Sequence, residues 1–162
     1  MTEVLQKDID SVSAQLGRPA RGIVAIAARC VCSNPIVVKT EPRLENGTPF
    51  PTVYYLTLPA ATAAISTLEA NGLMSDLQQR LAEEPELAAS YQKAHESYLE
   101  DRASLGFVAE IEGISAGGMP TRVKCLHSLV AHSLAKGPGV NPLGDLALAA
   151  CSWSPSRCEC AK

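Results

Sequence analysis

The sequence predicts an α+β fold, in which a small antiparallel sheet of about three strands from the N-terminal half packs against several α-helices. Two observations favour this class. Short apolar runs separated by turn residues occupy the first third of the chain, and from residue 59 onwards apolar residues recur at helical spacing. Aromatic residues make up only 4% of the 162 residues, which favours closely packed helices over a β-sandwich. We expect one α+β domain over residues 1–150 and an irregular, cysteine-containing tail over residues 151–162.

The N-terminal elements follow from local patterns. Apolar residues at helical spacing predict a helix over residues 3–16, which Gly17 ends. The run GIVAIAARCVC predicts a strand that ends near Cys30. A turn at residues 33–35 leads to a second strand, IVVKT, as the other arm of a hairpin. After a loop rich in Pro, Gly and Asn, the run VYYLTL predicts a third strand.

The remaining elements are mostly helical. We predict helices over residues 60–70 and 73–82 and a third that begins at Pro85. Residues 105–112 fit no single pattern, and a short strand is one interpretation. After Gly117 and Gly118, a further helix is predicted from Pro120 to about Lys136.

The charge and the apolar pattern of the sequence exclude some classes of partner and some cellular locations. A formal net charge of −3 argues against general nucleic-acid binding. The N-terminal residues are acidic where a secretory signal would be basic, and the apolar runs are too short to span a membrane. We therefore expect a cytoplasmic protein with no membrane partner. In that reducing compartment, six cysteines are better explained as free thiols or metal ligands than as disulfides.

Cysteine and histidine occur in three places. Cys30 and Cys32 lie where a strand enters a turn, and Cys158 and Cys160 lie near the C-terminus with Cys151 before them. The third place is KCLHSLVAH on the predicted late helix. In a regular helix Cys125 and His127 point about 200° apart, and Cys125 and His132 lie roughly 10.5 Å apart along the axis. We therefore expect this helix to supply one ligand to a site completed elsewhere.

A metal site is the preferred hypothesis. On a flat strand Cys30 and Cys32 would be roughly 6.5 to 7 Å apart, but a bend into the turn allows their sulfurs to converge. Four thiolates suit tetrahedral zinc or an iron–sulfur cluster. The predicted ligands are Cys30, Cys32, Cys125 and Cys158, and His127 or His132 is a candidate catalytic proton carrier or fourth ligand. The alternative is that these cysteines are ordinary buried or disordered thiols.

Two further hypotheses use other residues. A metal-free enzyme or binding protein for a phosphorylated small molecule would hold an anion with Lys39, Arg43, Arg122 and Lys124, near the Gly117–Gly118 turn. The same residues could equally form a solvated surface. A third hypothesis is a non-catalytic interaction module, for a cell-division or envelope partner or a second copy of the chain, through the Ala-rich helix that contains Ala60, Ala61, Ala63 and Ala64.

Three longer runs carry a family resemblance: RPARGIVAIAARC, VVKTEPRLENGTPFPTVYYLT and GGMPTRVKCLHSLVAHSLAKGPGVNPLGD. Over roughly residues 16–148 the chain resembles a bacterial family catalogued as domain of unknown function 501. The resemblance implies no activity, substrate or catalytic residue. It does imply a shared CxC, a shared KCLH with a following AH, and a late cysteine, which here are Cys30, Cys32, Cys125, His127, His132 and Cys158.

Overall fold

The computed structural model describes residues 3–160 of the chain. These residues form an α+β fold whose three strands all lie in the N-terminal half, as the sequence predicts. In chain order the elements are α1 (Gln6–Leu16), β1 (Ile23–Arg29), β2 (Pro35–Thr40), β3 (Tyr54–Leu56), α2 (Pro59–Ala70), α3 (Leu73–Glu83), α4 (Pro85–Ala103), α5 (Leu126–Lys136) and α6 (Pro142–Ala150).

The three strands form one antiparallel sheet in the order β1-β2-β3. Because side chains alternate across a strand, neighbouring residues of β2 serve opposite faces. Val37 packs into the large core beneath the helices, whereas Val38 joins Val12 of α1 and Ile26 of β1 in a smaller cluster on the other face. The sheet is therefore covered by α1 on one side and by the remaining helices on the other.

An ion pair fastens α1 to the sheet. The buried carboxylate of Asp8 accepts two hydrogen bonds of 2.9 Å from the Arg29 guanidinium at the end of β1, and a third from the backbone amide of Leu5. The hydrogen bond from Arg29 lowers the pKa of Asp8 to about 2, against the opposing effect of burial. This contact joins α1 to the C-terminal end of β1, immediately before Cys30.

Helix α5 is the central element of the large core. Its residues Leu126, Leu129 and Val130 are fully buried, and it contacts the sheet, α2 and α6. Helix α6 comes unusually close because Gly144 has no side chain. A Cβ atom at that position would clash with the Leu129 carbonyl and the Ser133 hydroxyl.

The predicted start of the late helix, at Pro120, is wrong: α5 begins at Leu126. Residues 116–121 turn instead, with Gly117 and Gly118 at φ of 65° and 95°. The Gly117 carbonyl accepts a hydrogen bond from the Lys124 amide, and the Gln78 side chain of α3 binds the Val123 amide. These contacts hold residues 122–125 outside the helix.

Two other segments differ from expectation. Residues 105–112 form no strand and contain a 3₁₀ turn at Ala109–Ile111, where the Ile111 carbonyl accepts a 2.7 Å hydrogen bond from Arg102. Helix α6 was not predicted at all. Its N-cap is Asn141, whose side chain accepts a hydrogen bond from the Gly144 amide, and the helix begins with Pro142.

The segment after α6, residues 151–160, contains neither helix nor strand but is packed against the core through the buried Trp153. Within residues 3–160, no helix has both the length and the apolar character needed to cross a membrane.

Candidate metal centre

Four cysteine sulfurs converge at one edge of the fold. The Sγ atoms of Cys30, Cys32, Cys158 and Cys160 all lie within 4.8 Å of one another, and those of Cys32 and Cys160 are 3.6 Å apart. All four are free thiols. Four thiolates within this distance are close enough to hold a metal ion.

The first pair is positioned by the turn between β1 and β2. The Cys30 amide donates to the Asn34 carbonyl, and the Ser33 amide donates to the Cys30 carbonyl, both at 2.8 Å. Ser33 adopts a left-handed φ of 76°, which bends the chain sharply after Cys32. The bend brings together two sulfurs that a flat strand would hold apart.

The second pair, Cys158 and Cys160, lies in the segment after α6. Trp153 is buried in the large core, and Cys160 packs against that core. Arg157 donates to the Ser152 carbonyl and forms an ion pair with Glu159, which shapes the segment between them. The tail thereby returns to the β1–β2 turn over a short path.

Burial and electrostatics differ within the four-cysteine cluster. Cys30 is buried, Cys32 and Cys158 are exposed, and Cys160 is half-buried. Burial raises the pKa of Cys30. A hydrogen bond from the Asn34 backbone, together with the neighbouring thiols, lowers the pKa of Cys32 to about 7. One thiolate is therefore already accessible near neutral pH, and a metal ion would favour deprotonation of the others.

The structure brings together three of the four predicted ligands, namely Cys30, Cys32 and Cys158. Cys160 completes the group in the place predicted for Cys125. The sequence contained a signal for Cys160, because Cys158-Glu159-Cys160 repeats the spacing of Cys30-Val31-Cys32.

Cys125 lies in a second group with His127 and Glu69. One ligand atom from each of the three residues lies within 4.8 Å of the others. The expectation that Cys125 and His127 point apart rested on both being helical. Cys125 instead precedes α5 in an extended conformation, with φ of −152°, so the two side chains converge.

Contacts from α2 position this group. Glu69 accepts a 2.8 Å hydrogen bond from the Leu126 amide, and its Oε2 is 3.4 Å from His127 Nδ1. His127 Nε2 lies 3.2 Å from the Thr62 carbonyl and 3.1 Å from the Ser66 hydroxyl. Thr62, Ser66 and Glu69 share one face of α2 because they follow helical spacing.

The cysteine and the histidine of this group influence each other's titration. The Cys125 thiol raises the pKa of His127. Burial acts to raise the pKa of Cys125, but hydrogen bonds from His127 and from the Ser128 amide outweigh it and lower that pKa. The pKa of the thiol and the pKa of the imidazole are thus shifted towards each other, which makes the charged form of each group easier to reach than in an isolated side chain.

Comparison with known protein families identifies a match to most of the chain. Residues 26–149 match the family described as "Protein of unknown function (DUF501)". The chain belongs to the DUF501 family. This confirms the resemblance found in the sequence. The matched DUF501 region contains Cys30, Cys32 and the whole Glu69–Cys125–His127 group, whereas Cys158 and Cys160 lie beyond its end.

No curated protein and no solved structure matches the DUF501 chain.

His132 is fully buried in the DUF501 core and belongs to neither cysteine group. Its ring stacks on Tyr54 and meets Tyr98 edge-on, with ring centroids 5.8 and 5.1 Å away. Asn141 contacts its Nδ1 at 3.1 Å, and its Nε2 has no hydrogen-bond partner in the described part of the chain. This environment suits a neutral packing residue.

The four cationic residues predicted to bind an anion lie at separate places. Arg43 donates to both carboxylate oxygens of Glu110 and to the Gly47 carbonyl. Lys39 lies over the Tyr54 ring, 6.0 Å from its centroid. Arg122 and Lys124 are exposed beside α3 and α5. The amide of Leu126, the first residue of α5, donates to Glu69.

Proposed function

We propose that this protein is a metal-binding protein that holds one zinc ion through Cys30, Cys32, Cys158 and Cys160. The observation that carries the proposal is the convergence of four sulfurs from opposite ends of the fold within 4.8 Å. Nothing in hydrophobic packing requires four thiols to meet, and two of them are exposed.

The spacing favours a single ion over a cluster. Zinc–sulfur bonds of about 2.3 Å in a tetrahedron place neighbouring sulfurs about 3.8 Å apart. The 3.6 Å separation of Cys32 and Cys160 is close to that edge length. In an iron–sulfur cluster, either each thiolate binds its own iron or two thiolates bind each of two irons. Cysteine sulfurs on different irons are then further apart than cysteine sulfurs around a single ion.

The proposed role of this ion is structural. Four protein ligands leave no open position for a substrate, which is the pattern of structural zinc sites. The ion would join the β1–β2 turn to a tail that has no helix or strand of its own in residues 151–160. A cytoplasmic location is part of this proposal, because a reducing compartment keeps the thiols available for metal.

The direct test is metal content. The full chain is purified without added metal, and zinc and iron are measured per chain beside an absorption spectrum. We expect zinc, no visible sulfur-to-iron absorption, and the loss of one zinc equivalent in the Cys32→Ser/Cys160→Ser double variant.

Cys151→Ser is the matched control. Cys151 belongs to neither cysteine group, and its sulfur contacts the carbonyls of Leu148 and Trp153, so this variant should keep the wild-type zinc content. An unchanged zinc content in the double variant, or a Cys32–Cys160 disulfide in freshly purified protein, would refute the proposal.

The anion-binding and interaction hypotheses receive less support from the contacts. Arg43 is already paired with Glu110. In the Ala-rich helix, Ala61 is buried and Ala60 and Ala64 pack against the core, so that only Ala63 of the four faces solvent fully.

A further inference from the structure

We infer that Glu69, Cys125 and His127 form a second metal site, for a single divalent cation of the zinc type, with its fourth position open to an external ligand. This inference is independent of the four-cysteine zinc ion. The two sites share no residue.

The ligand geometry supports a shared ion. Bonds of about 2.0 to 2.2 Å to nitrogen and oxygen, at tetrahedral angles, place two such ligands about 3.3 to 3.6 Å apart. His127 Nδ1 and Glu69 Oε2 are 3.4 Å apart, and the Cys125 sulfur lies within 4.8 Å of one ligand atom on each of these two residues. The three atoms therefore need only small movements to contact one ion.

The remaining contacts are those that orient metal ligands. A histidine that binds metal through one ring nitrogen usually donates its other N–H to a carbonyl or carboxylate. Here Nε2 faces the Thr62 carbonyl, which can only accept, so Nε2 carries the proton and Nδ1 is free to bind metal. The Leu126 amide donates to Glu69 Oε2, the oxygen that lies 3.4 Å from His127 Nδ1, and the Ser128 hydroxyl lies 3.6 Å from the Cys125 sulfur.

The donor set and exposure indicate the class of ion and the open position. One thiolate, one imidazole and one carboxylate suit zinc, which accepts all three ligand types. In the described part of the chain no fourth His, Cys, Asp or Glu completes the group, and the side chains of His127 and Glu69 keep 24% and 23% of their exposure. Three protein ligands and an accessible fourth position characterise catalytic zinc sites, where water or substrate completes the tetrahedron.

The test counts metal at each site separately. We expect apo protein, prepared with a chelator, to bind two equivalents of zinc. His127→Ala and Cys125→Ser should each lose one equivalent and keep the other, whereas the Cys32→Ser/Cys160→Ser variant should lose only the other. Cys151→Ser again serves as the control with both equivalents.

A second measurement on the wild-type chain guards against a variant that fails to fold. Iodoacetamide labelling with peptide mapping reports on the Cys125 thiol by itself. Zinc should slow its alkylation by about tenfold or more, since a coordinated sulfur is a poor nucleophile, and a chelator should restore the rate.

The open position is tested with cobalt in the Cys32→Ser/Cys160→Ser variant. Added azide should change the visible cobalt bands of the second site, because a fourth ligand can enter. Equal zinc content in wild type and His127→Ala, with Cys125 alkylated equally fast with and without zinc, would overturn the inference. The group would then be a hydrogen-bonded cluster of Glu69, Cys125 and His127 without metal. Two equivalents with no azide effect would overturn the open position.

Discussion

The hydrogen-bond partner of His132 determines its protonation. The Asn141 side-chain oxygen accepts from the Gly144 amide, so its NH₂ group must face His132. An NH₂ group can only donate, and Nδ1 therefore has to accept. If Nδ1 of His132 also carried a proton, its N–H would point at the N–H of the Asn141 side chain inside the core. Burial lowers the pKa of His132 to about 4 in agreement, with smaller effects from Asp101, Lys136 and Asp145.

This depressed pKa predicts a pH-dependent stability. An unfolded histidine titrates near pH 6.5, so between about pH 6.5 and pH 4 the unfolded chain binds a proton that the folded chain excludes. The contribution of His132 to stability should be complete above this window and decrease as the pH falls through it, by up to about 3 kcal/mol. Urea denaturation of wild type and His132→Gln at several pH values measures the effect.

Only the difference between wild type and His132→Gln reports on the titration of His132 by itself, because burial also lowers the pKa of His95. The difference in unfolding free energy between wild type and His132→Gln should shrink from pH 7 to pH 4.5. Parallel curves would show that His132 does not titrate as inferred.

At the scale of elements, the α5–α6 contact depends on one missing side chain. Gly144 lies where a Cβ would overlap the Leu129 carbonyl and the Ser133 hydroxyl. Gly144→Ala should therefore lower the unfolding free energy by about 1 to 3 kcal/mol, although alanine favours the helical conformation. Thermal and urea denaturation provide the measurement.

A control on the same helix is Ala149→Ser, since Ala149 is exposed. We expect this change to stay within about 0.5 kcal/mol of wild type. If Gly144→Ala were as stable as Ala149→Ser, α5 and α6 could move apart with no loss of unfolding free energy. The close contact between them would then not contribute to stability.

The elements that were predictable from sequence are those set by local patterns. The hairpin, β3 and helices α1 to α4 follow from periodicity, proline at a first turn, and glycine at an end. The start of α5 was not predictable in this way. It depends on Gln78 binding the Val123 amide and on Glu69 binding the Leu126 amide, and both partners lie more than forty residues away.

The candidate metal centre also combines a feature that local sequence predicts with one that depends on distant contacts. The bend that joins Cys30 to Cys32 is local, and the turn residues predicted it. The choice between Cys125 and Cys160 as a partner is tertiary, because it depends on the path of a tail without regular structure. One wrong helix start also hid the Cys125–His127 pair, since the angle between two side chains follows directly from the backbone conformation assumed for them.

At the scale of the whole molecule, the proposed zinc ion and Trp153 should together attach the tail. Trp153 is the one tryptophan of the chain and is buried. Removal of zinc by a chelator should loosen residues 151–160, shift tryptophan emission to longer wavelength and speed trypsin cleavage after the exposed Arg157. Fluorescence and timed digestion follow both effects.

The Cys32→Ser/Cys160→Ser variant provides the internal control. It should show the shifted emission and the faster cleavage before any chelator is added, and the chelator should change neither further. Wild-type emission and digestion that do not respond to the chelator would mean that Trp153 alone holds the tail.

The sulfur contact between Cys32 and Cys160 joins positions 128 residues apart. A bond across such a span closes most of the chain into a ring, and the ring restricts the unfolded chain more than the folded one. For covalent links over about 100 residues this effect is of the order of 4 to 5 kcal/mol. It also imposes an order on synthesis: the first thiol pair leaves the ribosome early and waits for its partners until the tail is made. During that interval the hairpin of the growing chain carries two thiols without the partners proposed for them.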